Sequence, residues 1–112
     1  MADEPPGAVF SALADATRRD VLRRLSDEGP LTATALAAGL PISRQAVSKH
    51  LAALAAAGLV ATVRQGRERR YRLTPEPLHD AAEWVTQVGA HWDERLARLQ
   101  RRLAEEQAAT RH

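Results

Sequence analysis

Between Pro41 and Leu51 the chain reads Pro-Ile-Ser-Arg-Gln-Ala-Val-Ser-Lys-His-Leu, and Arg64, Arg67, Arg69, Arg70 and Arg72 follow within one nine-residue stretch. These residue types suit the recognition of double-stranded DNA. Gln45 and Arg44 are of the kind that bond adenine and guanine edges in the major groove, each good pair discriminating by ~1–3 kcal/mol. Ser43, Ser48, Lys49 and His50 suit phosphate oxygens, which set register without reading sequence. The five arginines suit phosphate or minor-groove contact, an attraction that arises largely from counterion release and falls steeply with salt. Plainer roles stand beside these: Ser43 as a helix cap, His50 as a packing residue, and the arginines as a solvated charged face.

Charge is segregated. From Ser43 to Leu73 seven basic residues face one acid, Glu68, for a balance of +6, whereas the rest of the chain carries nine against thirteen, for −4. Lys49 is the only lysine; the other fifteen basic residues are arginine. A surface for a polyanion predicts such segregation far better than the modest total of +2 does.

The elements that must position these groups follow from caps and periodicity. Val9, Phe10, Leu13 and Ala14 suggest a short first helix, and Asp15 caps a second that closes before Gly29-Pro30. Thr32 or Thr34 opens a third, around Ala35 to Ala38, stopped by Gly39 and Pro41. Ser43 caps a fourth, running to Ala57 with Gly58 as its left-handed terminator. On that helix Val47, Leu51 and Leu54 fall together and face a core, while Gln45, Lys49, Ala52 and Ala56 fall opposite. Residues 60–64 and 69–73 read as strands of a hairpin turning at Gly66, with Tyr71 and Leu73 alternating with Arg70 and Arg72. Thr74-Pro75-Glu76-Pro77 starts a last helix of about thirty residues. Its stripe of Leu78, Ala81, Val85, Val88, Trp92, Leu96, Leu99 and Leu103 is longer than a small domain covers by itself, which calls for a partner helix.

The order of these elements is that of a winged helix-turn-helix: mainly α with a small β-hairpin, ending in a long C-terminal dimerisation helix. The boundaries are a disordered N-terminus at 1–7, a DNA-binding domain at 8–74, the final helix at 75–107 within the same single domain, and a tail at 108–112. The chain also resembles the ArsR/SmtB repressors, in the branch without the cysteine metal site. The likeness rests on Leu13-Ala14-Asp15-Ala16-Thr17-Arg18-Arg19, then Ser43 to Leu51, then Ala57-Gly58-Leu59-Val60. It continues through Arg64-Gln65-Gly66-Arg67 and Tyr71-Arg72-Leu73. It spans residues 8–104 in the right order.

The resemblance implies a homodimeric bacterial repressor on an inverted repeat near a promoter, released by an effector such as a small molecule. Its dimer contacts would involve Phe10, Leu13, Val85, Val88, Trp92, Leu96, Leu99 and Leu103. Two recognition helices related by a two-fold axis are then expected about 34–36 Å apart, or a multiple of that.

The same resemblance raises metal sensing. A thiolate site is excluded because the chain has no cysteine. The alternative is a zinc-responsive repressor with Asp80, His91 and Glu94 on the last helix. It lacks a ligand, because Leu78 and Asp80 stand where the family pattern has a carboxylate and a histidine. Asp80 as a surface residue, His91 beside Trp92, and Glu94 paired with Arg98 explain those three residues without metal. No cofactor is expected. Trp84 and Trp92 read as interface core rather than as the lining of an effector cavity.

Other classes fare worse. No Ser/His/Asp set, buried carboxylate pair or phosphate-cradling glycine loop can be assembled, so an enzyme is not expected. A winged helix used only for binding other proteins is opposed by the +6 segment. The N-terminus has neither the charge nor the apolar run of a signal peptide, and no stretch approaches a membrane span, so a soluble cytoplasmic protein is expected.

Overall fold

A computed structural model describes residues 7–110. The elements are α1 (Gly7–Leu13), α2 (Ala16–Glu28), β1 (Leu31–Thr32), α3 (Ala33–Ala38), α4 (Arg44–Ala56), β2 (Val60–Gln65), β3 (Glu68–Leu73) and α5 (Glu76–Thr110). The helical architecture with a small antiparallel sheet, a wing and a long last helix agrees with the sequence reading. Two boundaries move. Helix α1 begins at Gly7, inside the stretch read as a disordered N-terminus, whose other residues lie outside those described. Helix α5 continues to Thr110, into the stretch read as a tail.

Local chemistry accounts for the helix starts. Asp15 accepts a hydrogen bond from the Arg18 backbone N–H at 2.9 Å, Thr32 from Ala35 at 3.1 Å, and Ser43 from Ala46 at 3.1 Å. Each side chain satisfies a donor that the first helical turn leaves without a partner, worth about 1 kcal/mol apiece. Helix α4 ends in a Schellman motif: the Gly58 N–H reaches the Ala55 carbonyl at 3.0 Å and the Leu59 N–H reaches Leu54 at 2.9 Å. Gly58 sits at φ +77°, which glycine adopts without a Cβ penalty, and the reversal sends the chain directly into β2.

The sheet has three strands, not the two read from the sequence, in the order β1-β3-β2. Leu31 pairs with Tyr71 and Thr32 with Arg70, so β3 is central. A two-residue strand has no period to display, and Thr32 is already spoken for as a cap. The β2–β3 hairpin pairs through Gln65 and Glu68, leaving a two-residue turn with φ +65° at Gly66 and no positive φ at Arg67. That is the sign pattern of a type II′ turn, whose twist matches the flanking strands.

The chain divides into two compact units, one running through Ala81 and the other from Ala82 on. The final helix was read as part of a single domain; most of it forms the second unit. In the first unit, Val9 and Ala12 of α1, Val21, Leu22 and Leu25 of α2, Leu36 of α3, Val47, Leu51 and Leu54 of α4, and Leu59 and Val60 make one aliphatic core. Leu40 and Ile42 pack against it and hold the turn between α3 and α4. Ala81 and Leu78 close it from the first turns of α5. From Trp84 on, the large apolar residues of α5 are 36–59% exposed.

Candidate nucleic-acid interface

Val47, Leu51 and Leu54 have no solvent exposure, so α4 is clamped to the core along one face. Burying each such side chain stabilises the fold by ~1.5–3 kcal/mol. The opposite face is consequently fixed in direction: Ser43, Arg44, Gln45, Ser48, Lys49, Ala52 and Ala56 are all exposed. The alanines leave room beside the polar groups, and rigid packing behind them holds the polar groups in place.

His50 sits differently. It is half-buried on the flank of α4, and its Nδ1 accepts a long hydrogen bond of 3.4 Å from Arg18 Nε. The same nitrogen lies 3.8 Å from Asp15 Oδ2. An accepting Nδ1 carries no proton, so a neutral ring in this arrangement bears its proton on Nε2. The histidine thereby ties the candidate reading helix to the N-terminal cap of α2. Asp15 is the hub of that tie. The Arg18 backbone N–H, with help from the charge of the Arg18 guanidinium, holds its carboxyl below the usual range.

The wing arginines divide between two faces. In the β2–β3 register, Val60 opposes Leu73, Thr62 opposes Tyr71 and Arg64 opposes Arg69, which places these six on one face. Ala61 opposes Arg72 and Val63 opposes Arg70 on the other. Alternation had suggested one buried face and one cationic face. In the structure Arg64 and Arg69 extend the Tyr71 face out toward the turn. Arg70 donates to Glu68 at 3.0 and 3.2 Å, so its charge is partly neutralised within the wing. Among the described residues, Arg44, Arg64, Arg67, Arg69 and Arg72 have no ion-pair partner.

An open groove of about 540 Å³ lies between the wing and the start of α4. Its lining includes Thr34 of α3, Arg44 of α4, and Arg67, Glu68, Arg69 and Tyr71 of the wing. Sequence reasoning had not connected Thr34 or Tyr71 with this surface, since only the pairing of β1 with β3 brings the start of α3 beside the wing.

Two arginines of α2 serve the scaffold instead. Arg19 donates to the Leu13 carbonyl at 2.7 Å, and Arg24 to the Leu36 carbonyl at 3.1 Å and to Glu28 at 2.9 Å. Arg19 finishes the C-terminal end of α1, and Arg24 adds a second donor to the Leu36 carbonyl, which also accepts from the Gly39 N–H at 3.2 Å. The pairing with Arg24 holds the Glu28 carboxyl below its ordinary range.

Asp80 belongs to the first turns of α5, whereas His91 and Glu94 lie beyond Ala82 in the second unit. Among the described residues no three histidines or carboxylates gather as a metal site within the chain. Phe10 and Leu13 are half-buried against the core of the first unit. The α5 residues Val85, Val88, Trp92, Leu96, Leu99 and Leu103 are exposed. No helix among the described residues is long and apolar enough to cross a membrane.

A helix pair with its second helix presented outward and an arginine-bearing hairpin beside it defines a winged helix-turn-helix protein. A helix-turn-helix domain family matches residues 13–63. The arsenical resistance operon repressor of Escherichia coli strain K12 is 33% identical over 99 residues, covering 88% of this chain and 85% of that protein. Among solved structures, an ArsR-like transcriptional regulator from Rhodococcus sp. RHA1 aligns with a TM-score of 0.82 at 45% identity, covering 89% of this chain and 90% of that one. The homodimeric winged helix-turn-helix DNA-binding domain of Mb0332 from Mycobacterium bovis, a possible ArsR-family regulator, aligns at 0.59 with 31% identity over 80% of each chain. The chain belongs to the ArsR family of winged helix-turn-helix transcriptional regulators.

Proposed function

We propose that the protein is a homodimeric transcriptional repressor that binds an inverted-repeat operator and works without a metal cofactor. One observation carries this reading. The exposed face of α4, with Gln45, Ser48 and Lys49, is backed by three side chains of zero exposure and flanked by unpaired arginines of the wing. Gln45 reads a base edge. Ser43, Ser48 and Lys49 meet phosphates, and His50 can do so through Nε2 while Nδ1 faces Arg18. Arg64, Arg67, Arg69 and Arg72 attract the flanking backbone; Arg70 shares its guanidinium with Glu68.

Dimerisation is supported by the exposed α5 stripe and by the homodimeric state of the Mb0332 domain. Repression is supported by the kinship with the Escherichia coli repressor. Control without zinc at Asp80, His91 and Glu94 is supported by Leu78, which occupies a ligand position of the family pattern and packs on the core. Relatives that are transcriptional regulators support a protein that is not an enzyme.

The test is footprinting on DNA upstream of the protein's own gene, followed by mobility shifts with the protected duplex and an unrelated one. Gln45→Ala is expected to weaken operator binding about 10-fold or more, the loss of one bidentate contact, and to leave unrelated DNA nearly unaffected. An equal loss on both duplexes would remove Gln45 from base reading.

A further inference from the structure

We infer that the groove between α4 and the wing is the seat of a DNA-strand phosphodiester, and that Arg44 acts there as a phosphate ligand rather than as a reader of guanine. The inference rests on the DNA-binding reading and assigns a residue within it differently from its sequence-based role.

Arg64 and Arg69 are directly opposed across β2 and β3 on the same face, and like charges in that position destabilise a strand pair. Glu68, the one acid of the wing, is engaged by Arg70 and so offers the opposed pair little relief. Arg67 at the turn and Arg44 at the start of α4 bring two further guanidinium groups to the groove that Arg69 lines. Among the described residues none of these four arginines has an ion-pair partner. Such a cluster is relieved by an anion from outside. Guanidinium forks match phosphate oxygens in a bidentate way, and the hydroxyls of Thr34 and Tyr71 at the same groove add neutral donors.

Geometry then selects the source of the phosphate. When a helix lies in the major groove and a wing meets the adjacent minor groove, the strand that separates those grooves runs between the two elements. Here the space between the two elements is this groove. It is lined by side chains of two separate elements, α4 and the wing, which suits a strand passing between them. Arg44 lies in the first turn of α4, at the wall of the groove. Gln45 is its neighbour and keeps the role of base reader.

The experiment measures log affinity against log salt for the full-length protein on the footprinted operator and on an unrelated duplex. Arg44→Ala and Arg69→Ala are each expected to flatten the slope by about 1 for each bound subunit, with similar fold-losses on both duplexes. Arg44→Lys keeps the charge and recovers most of the slope. Arg23→Ala, which removes an exposed arginine outside the groove wall, leaves the slope at its wild-type value. An Arg44→Ala protein that loses affinity for the operator alone, with an unchanged slope, overturns the groove assignment and returns Arg44 to base reading. Saturable binding of inorganic phosphate at micromolar concentration in the absence of DNA, abolished by Arg44→Ala, overturns the strand as the occupant. A wild-type protein without salt-dependent affinity for either duplex overturns the DNA-binding reading itself, and the groove with it.

Discussion

Helices α4 and α5 carry the same kind of apolar stripe and meet opposite fates. Val47, Leu51 and Leu54 on α4 step by four and three and have no exposure, whereas Val88, Trp92, Leu96, Leu99 and Leu103 on α5 step by the same intervals and remain 38–59% exposed. Periodicity identifies a face that will be covered; it does not say which molecule covers it. For α4 the cover comes from α1, α2 and α3 of its own chain, whose cluster includes all three residues. For α5 beyond Ala82 it is not supplied by neighbouring segments of the same unit, which is a single helix.

The largest expected effect falls on the covered stripe. Leu54→Ala should destabilise the fold by ~2–5 kcal/mol, combining lost transfer energy with a cavity in a packed core, and should lower the melting temperature at every protein concentration. Changing the uncovered stripe should act through association instead. The wild-type melting temperature is expected to rise with concentration, and Leu96→Glu with Leu99→Glu to abolish that dependence, halve the mass in sedimentation and remove operator binding. A wild-type protein whose melting temperature ignores concentration would break the contrast between the two helices. So would a double variant that sediments at the wild-type mass.

The smallest effect sharpens the contrast from the polar side. Asp15 caps α2 and its carboxyl is held low by the Arg18 N–H, so its contribution is present at neutral pH. That contribution is lost as the pH falls from near 4, the ordinary carboxylate value, through the lowered folded value. Asp15→Asn keeps a capping oxygen but no charge. It should therefore flatten this acid limb while changing neutral stability little. An unaltered acid limb would show that the Asp15 carboxylate does not couple to folding.

Arginine tells the same story as leucine. Arg19 and Arg24 are of the same residue type as the arginines of the wing. In three dimensions they bond the carbonyls of Leu13 and Leu36, while Arg64, Arg67 and Arg69 have no ion-pair partner among the described residues. Residue type could not separate these groups, because a guanidinium serves equally for a helix end or a phosphate. His50 belongs with them: its contact with Arg18 spans 32 residues, beyond any local pattern.

Sequence alone was sufficient for the elements whose causes are local. Asp15 and Ser43 cap because a short side-chain oxygen can reach a backbone N–H three residues on, whereas the choice of Thr32 over Thr34 came from the structure. Gly58 terminates α4 because a left-handed residue is needed there, and the inward face of α4 follows from helical period. Tertiary structure decided what depends on residues distant in the chain. It paired the two-residue β1 with β3, placed Arg64 and Arg69 on one face and Arg70 with Glu68 on the other, and opened a groove between Arg44 and the wing. The reason is physical: caps and period act over one or two turns, whereas strand register and charge pairing are settled only when separate segments meet.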